Sequence, residues 1–196
     1  MSYNVVNILD LIEMLGEAPV QAALSDFSCP KNPDIERFLQ QNAIPFARRK
    51  ISMTHLVFDQ ASRITGYFTI THKPLVIAGE DRLTLSKTDE KTIRRYSKLD
   101  ETTQSYTLSA FLIAQFGKNF ALPAADQIRG TQLMQAALIK LKTIQREIGG
   151  GVVFLECEDR EKLLAFYQSP DNRFKRYSQR HSETEDKYYI QLLRFF

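Results

Sequence analysis

Apolar residues fall into two rhythms along this chain, and the switches between them mark its elements. From 106 to 116 (YTLSAFLIAQF) and from 152 to 157 (VVFLEC) apolar residues run almost unbroken. Such runs predict strands. Between them, 131–148 repeats at helical spacing, and 159–168 does so again, so the stretch 106–167 reads strand, loop, helix, strand, helix. Two strands flanking a helix form a βαβ unit with a right-handed parallel crossover. At the front, Ile8, Leu11, Ile12 and Leu15 share one helical face. Asn7 is placed to cap that helix and Gly16 to stop it. A further short turn is expected over 20–24. Asn32 and Pro33 open another helix, with Asp34 and Glu36 at its positive end and Ile35, Phe38, Leu39 and Ala43 on its buried face. Pro45 is expected to end or kink it near Ala43 or Ile44.

The segments 50–59 and 64–73 read as an antiparallel strand pair, rich in β-branched and aromatic residues, with 75–78 continuing the second past Pro74. The stretch 79–103 is dense in charge and hydroxyls. It reads as a solvated surface insertion with a short helix around 90–96. Two final strands, 174–178 and 187–195, are separated by the polar HSETED. The order implies an α/β (α+β) fold with a mixed, mostly antiparallel central sheet flanked by helices. Residues 1–196 read as a single domain, with 1–25 as an N-terminal helical extension.

Composition changes this picture little. The chain has 196 residues, 43% hydrophobic and 25% charged, with a formal net charge of +3. That is ordinary for a globular domain able to bury a core without disulfides or metal. Two cysteines, Cys29 and Cys157, make no disulfide framework, and Cys157 reads as a small buried residue. The three histidines and two cysteines match no zinc spacing. His55 and His72, on the early strands, read as packed or surface residues. The start lacks a basic leader region and no apolar run approaches a membrane span, so the expected compartment is the cytoplasm. The densest basic cluster, 173–180 (RFKRYSQR), reads as a solvated hairpin, with a phosphate-rich acceptor as the functional alternative.

The loop QFGKNFALPAADQIRG leads a strand into the long helix, whose N-terminus suits an anion. Two readings stay open from spacing alone, a pyrophosphate seat and an ordinary strand-to-helix loop. The loop lacks the Gly-Lys-Ser/Thr ending of a P-loop and the glycines of a dinucleotide fingerprint.

Four stretches together resemble the GNAT superfamily of acyl-CoA-dependent N-acetyltransferases, over about 26–196. LIAQFGKN followed by GTQLM is similar to the family's acetyl-CoA loop and helix start. IGGGVVFLECEDREKLLAFYQ resembles its second half. FYQSPDNRF resembles FYxxxGF, with Asn172-Arg173 before Phe174 where glycine would stand. FSCPKNPDIERFLQQNA with the later GYFT is similar to the front half of its toxin-like branch. The resemblance implies a splayed strand pair and acetyl-CoA as co-substrate. It places pantetheine on Phe116, Gly117 and Lys118, and diphosphate on Gln127, Ile128, Arg129, Gly130 and Thr131. Tyr167 would be the general acid and Glu156 the general base, with Glu158 a weaker choice. The acceptor would be a primary amine, and the toxin-like branch points to aminoacyl-tRNA. A tRNA, an antitoxin and a second copy of the chain become candidate partners, the last through the YYIQLLRFF end. The loop departs from the family's Q/R-x-x-G-x-G/A, with Ala125 and Ile128 at two of its signature positions. That departure supports an alternative, a GNAT-shaped binding or regulatory module without catalysis.

Overall fold

The computed structural model describes residues 3–196. Its strands form one seven-stranded sheet in the order β1-β2-β3-β4-β5-β7-β6. Backbone contacts divide the chain into two compact units, one up to Thr71 together with 113–139, the other 72–112 with 140–196.

In the first unit, β1 (Asn4–Asn7) pairs antiparallel with β2 (Met53–Phe58), which pairs antiparallel with β3 (Ile64–Ile77). The sequence pattern missed β1: four residues are too few for a period, and the helical face beginning at Ile8 dominates the reading. α1 (Ile8–Leu15) starts where expected, with the Asn7 side chain accepting from the Leu9 N–H and Gly16 closing the end. α2 (Glu17–Ser25) is a full helix rather than a short turn. Ile8, Val20 and Leu24 are buried with Phe27, Leu39, Ala43, Leu56 and Tyr67 in one apolar cluster. Hence the helices after β1 carry part of the core and are not appended to it.

α3 (Pro33–Arg37) begins at the Asn32 cap, as read from the sequence. Pro45 does not end this helical segment. The helix widens over Phe38–Asn42, where the Ala43 N–H reaches back five residues to the Phe38 carbonyl, and then runs on as α4 (Ala43–Arg48). In that wide register residue 45 would donate to Gln40, and proline has no N–H to give. The side-chain amide of Gln21 supplies the donor instead, 2.7 Å from the Gln40 carbonyl oxygen. A backbone group that proline would orphan is thereby satisfied.

β4 (Tyr106–Lys118) lies in the second unit up to Leu112, and there it pairs in parallel with β5 (Val152–Glu158), Phe111 with Val153 and Leu112 with Phe154. α7 (Gly130–Ile148) connects them in sequence. β7 (Lys187–Phe195) lies between β5 and β6 (Lys175–Ser182), antiparallel to both. The YYIQLLRFF end is therefore an interior strand, and β6 takes the edge.

Residues 79–103 lie largely at the surface, as read from the sequence, but they carry one buried anchor. They form α5 (Gly79–Thr84) and α6 (Lys87–Ile93), the latter earlier than the helix expected at 90–96. Ile93 is fully buried, and Leu85 and Leu99 pack beside it against Leu75, Tyr106, Leu108, Phe154 and Tyr177. Polar ties hold the segment from above: Tyr106 donates to Glu90 at 2.8 Å, Ser178 to Asp81 at 2.7 Å, and Lys175 pairs with Asp89 at 2.5 Å. Ile93, Leu85 and Leu99 in a charged stretch are a weak sequence signal, because most of its side chains do face solvent.

Candidate functional site

The end of β4 is built around two glycines. A Cβ added at Gly117 would stand 2.3 Å from a methyl of Ile35, and one added at Gly66 would stand 2.9 Å from the Gly117 carbonyl oxygen. Only hydrogen fits at either place, so α3 and β3 both close directly onto this backbone. Asn119, which sequence reasoning passed over, pins the chain as it leaves the strand. Its side-chain oxygen accepts from the N–H groups of Ser28 (3.1 Å) and Ala121 (3.0 Å), its amide donates to the Ile64 carbonyl (2.8 Å), and its own N–H meets Thr65. A buried asparagine serving three backbone partners is a positioning group. Nothing in its flanking residues distinguishes it from an ordinary loop asparagine.

The loop then turns through Ala124–Asp126, where Asp126 pairs with Arg63 at 2.9 Å, and Gln127 donates to the Leu122 carbonyl at 3.0 Å. Ile128 is fully buried. It anchors the loop by its side chain where the family pattern has glycine. Arg129 precedes the first turn of α7. Both its backbone N–H (3.1 Å) and its guanidinium (3.2 Å) bond the side chain of Gln132, three residues on. This is the reach-back half of a capping box. Helix geometry leaves the N–H groups of Gly130, Thr131 and Gln132 without intrahelical acceptors, so a half-positive helix end stands beside Arg129. Phe116, Gly117 and Lys118 thus close the strand, and Gln127 to Thr131 open the helix, all within the first unit.

Glu156 and Tyr167 belong to the second unit. Glu156 is on β5, opposite Gln191 of β7. Its carboxylate accepts from the Arg180 guanidinium at 2.6 Å and from Gln191 at 2.7 Å. Burial alone would raise its carboxyl. The bonds from Arg180 and Gln191 and the charges of Arg180 and Lys73 outweigh that and hold it below the usual carboxylate range. Glu158 is held by Arg160 at 2.6 Å and Lys187 at 3.4 Å.

Tyr167 ends α8 (Glu161–Tyr167). Its ring is buried edge-on against Phe166 and Phe174 at 5.0 and 6.0 Å. Its carbonyl accepts from the Phe174 N–H at 3.0 Å, closing the turn after the helix. Asn172 stabilises that turn from within, donating to the Phe166 carbonyl at 2.8 Å. Arg173 adopts φ 57°, the left-handed region where glycine is at ease. Arginine here holds a conformation that glycine adopts without steric cost. Burial, with Cys157 nearby, raises the phenol of Tyr167 well above its ordinary value. It stays protonated at every physiological pH.

His55 is buried and stacked on Phe68 at 5.2 Å, while His72 is exposed, its ring nitrogen 2.8 Å from the Ser109 hydroxyl. The basic run 173–180 is largely spoken for: Lys175 by Asp89, Arg176 by Gln179, Arg180 by Glu156. Among the described residues no three His, Cys, Asp or Glu side chains converge as a metal site, and no helix is long and apolar enough to cross a membrane.

No protein-family model matches the sequence, and no curated protein matches it. Solved structures do. AtaT complexed with acetyl-methionyl-tRNAfMet superposes with a TM-score of 0.65 at 17% identity, covering 100% of this chain and 94% of that one. A tyrosine-to-phenylalanine mutant of KacT gives a TM-score of 0.65 at 15% identity, covering 100% and 95%. AtaTR bound with acetyl-CoA gives 0.58 at 16%, covering 98% and 92%. The chain has the GNAT fold, and over its full length it is the fold of these two proteins.

Proposed function

We propose that this chain is an acetyl-CoA-dependent N-acetyltransferase that modifies a primary amine, with the amine of an aminoacyl-tRNA as its acceptor. The observation that carries the reading is the likeness to AtaT across the whole chain, in a structure captured with acetyl-methionyl-tRNA. In this reading Phe116, Gly117 and Lys118 line the pantetheine, and the first turn of α7 with Arg129 takes diphosphate charge. The amine nitrogen attacks the thioester carbonyl, the C–N bond forms, and the C–S bond breaks to release CoA.

Two protons move. An α-amine with a pKa of about 7.7–8.0 must first lose one. Glu156 is the proposed acceptor, and its grip by Arg180 sets how readily it takes that proton. The departing sulfur gains stabilisation from Tyr167. A phenol raised by burial is a weaker acid than a thiol of pKa about 8.5. It therefore acts as a hydrogen-bond donor to the developing thiolate, and such a donor contributes roughly 100- to 1,000-fold. The second proton leaves the attacking nitrogen as the C–S bond breaks, and the sulfur takes it up to leave as the CoA thiol.

The same reading supplies the partners: a tRNA as acceptor, an antitoxin as AtaR is for AtaT, a second copy of the chain, and a cytoplasmic setting. The test is incubation with acetyl-CoA and a pool of charged tRNAs, reading acetylated aminoacyl ends after nuclease digestion. Acetylated termini support the acceptor. Acetylation of free amines alone keeps the enzyme and rejects the tRNA. A second reading, a GNAT-shaped module without catalysis, rests on buried Ile128 and on Ala125. It is upheld if acetyl-CoA fails to bind at millimolar concentration.

A further inference from the structure

Lys31 and Lys118 share one aromatic ring. The Lys31 ammonium stands 4.7 Å from the centroid of Phe120, and that of Lys118 stands 5.4 Å from it. The arrangement is imposed by backbone. The Phe120 N–H donates to the Ser28 carbonyl at 2.7 Å, the Ser28 N–H to Asn119 at 3.1 Å, and Ile35 closes on Gly117. Together these clamp the loop carrying Lys31 against the end of β4. Neither lysine has a carboxylate within ion-pair distance among the described residues. Both acids on the adjoining helix are engaged elsewhere, Glu36 with the Ser28 hydroxyl and the Cys29 N–H and Asp34 with Arg37.

We propose that Lys31 and Lys118, held over Phe120, form a diphosphate-binding station. Its charge adds to that of Arg129 and the first turn of α7, in a loop that carries Ala125 and buried Ile128. The inference rests on the acetyl-CoA reading for its ligand but not for its test. Two ammonium groups brought together without a counter-charge repel, and that repulsion is relieved when an anion bridges them. In line with this, burial and the charge of Lys31 pull the Lys118 ammonium down from its ordinary value. Glycine in a loop before a helix lets a phosphate approach the backbone N–H groups closely. Buried Ile128 puts a side chain in this loop, and charge from another segment adds to what the loop supplies.

The experiment is thermal unfolding of the full chain with inorganic pyrophosphate, with acetyl-CoA, and with pantetheine, which lacks the diphosphate. The variants are K31Q, K118Q and R129Q. Pyrophosphate is expected to raise the midpoint of the parent chain. Each lysine substitution should weaken pyrophosphate binding about tenfold, a charge-assisted bond's share, and K31Q should leave the response to pantetheine unchanged. If K31Q and K118Q bind pyrophosphate as the parent does, the station is refuted, and loss only in R129Q returns the anion to the helix end. If pyrophosphate binds through both lysines while acetyl-CoA does not bind at all, the station stands and the acetyltransferase reading falls.

Discussion

Tyr167 and Glu156 make opposite demands on their surroundings, and the structure meets them differently. Burial keeps the Tyr167 hydroxyl protonated, which suits a donor to sulfur. Tyr167→Phe is expected to lower the acetyl-transfer rate about 100- to 1,000-fold while the unfolding midpoint moves little, because the ring contacts with Phe166 and Phe174 survive. A variant transferring acetyl at the parent rate would remove the tyrosine from the reaction. Glu156 is ionised in the grip of Arg180 and Gln191. Its folded carboxyl lies below the unfolded value, so the stabilisation it contributes is present above about pH 4.3. That contribution is lost as pH falls through the folded value. Arg180→Met should raise the Glu156 carboxyl, shown by a shift of the acid limb of activity toward higher pH. An unmoved limb would separate Glu156 from catalysis. The Glu156 side chain is about a quarter exposed, 26%, so solvent screens part of this coupling.

At the scale of elements, close approach at the end of β4 decides the outcome. Gly117→Ala sets a methyl against Ile35, a branch carbon that cannot swing clear. Overpacking of this kind costs about 1–3 kcal/mol. Adding Ile35→Ala should return part of that loss, and calorimetry of the two variants checks it. Ile93→Ala tests the charged segment from the other side. As a fully buried side chain, it should cost about 2–5 kcal/mol, whereas removing an anchor from a solvated excursion would cost little.

Much of this was legible in sequence. Asn7 and Asn32 capped the helices they were expected to cap, Val152 to Cys157 formed a strand, and the Phe-Tyr ending of α8 stood where the motif put it. The failures have physical causes. Pro45 was read as ending or kinking its helix because its missing N–H is a local fact, whereas the chain passes it through a wide turn and the Gln21 amide that supplies a donor nearby lies in another helix. The charged composition of 79–103 hid Ile93. Asn119 and the Lys31–Lys118 pair depend on segments about ninety residues apart in sequence, and no local pattern encodes such a meeting.

For the whole molecule, the cofactor reading has a direct measure. At about 100 times its dissociation constant, acetyl-CoA should add about 2.7 kcal/mol of stability. For a chain of this size that is a rise in midpoint of about 5–11 °C. Free adenosine diphosphate should reproduce only part of it, since it lacks the pantetheine arm. No rise at millimolar acetyl-CoA would leave a fold without its donor.

The two cysteines have a use beyond packing. Cys29 lies in the first compact unit and Cys157 in the second, both buried and neither disulfide-bonded. Burial, with Asp159 and Glu158 adding, pushes the Cys157 thiol up to about 11, and burial raises Cys29 too. Thiolate is the reactive form, so alkylation of the native protein should be slow at both positions. Each sulfur is then a built-in clock for its own half. Mass-resolved alkylation in rising urea would report which one opens first, with no label or mutation introduced.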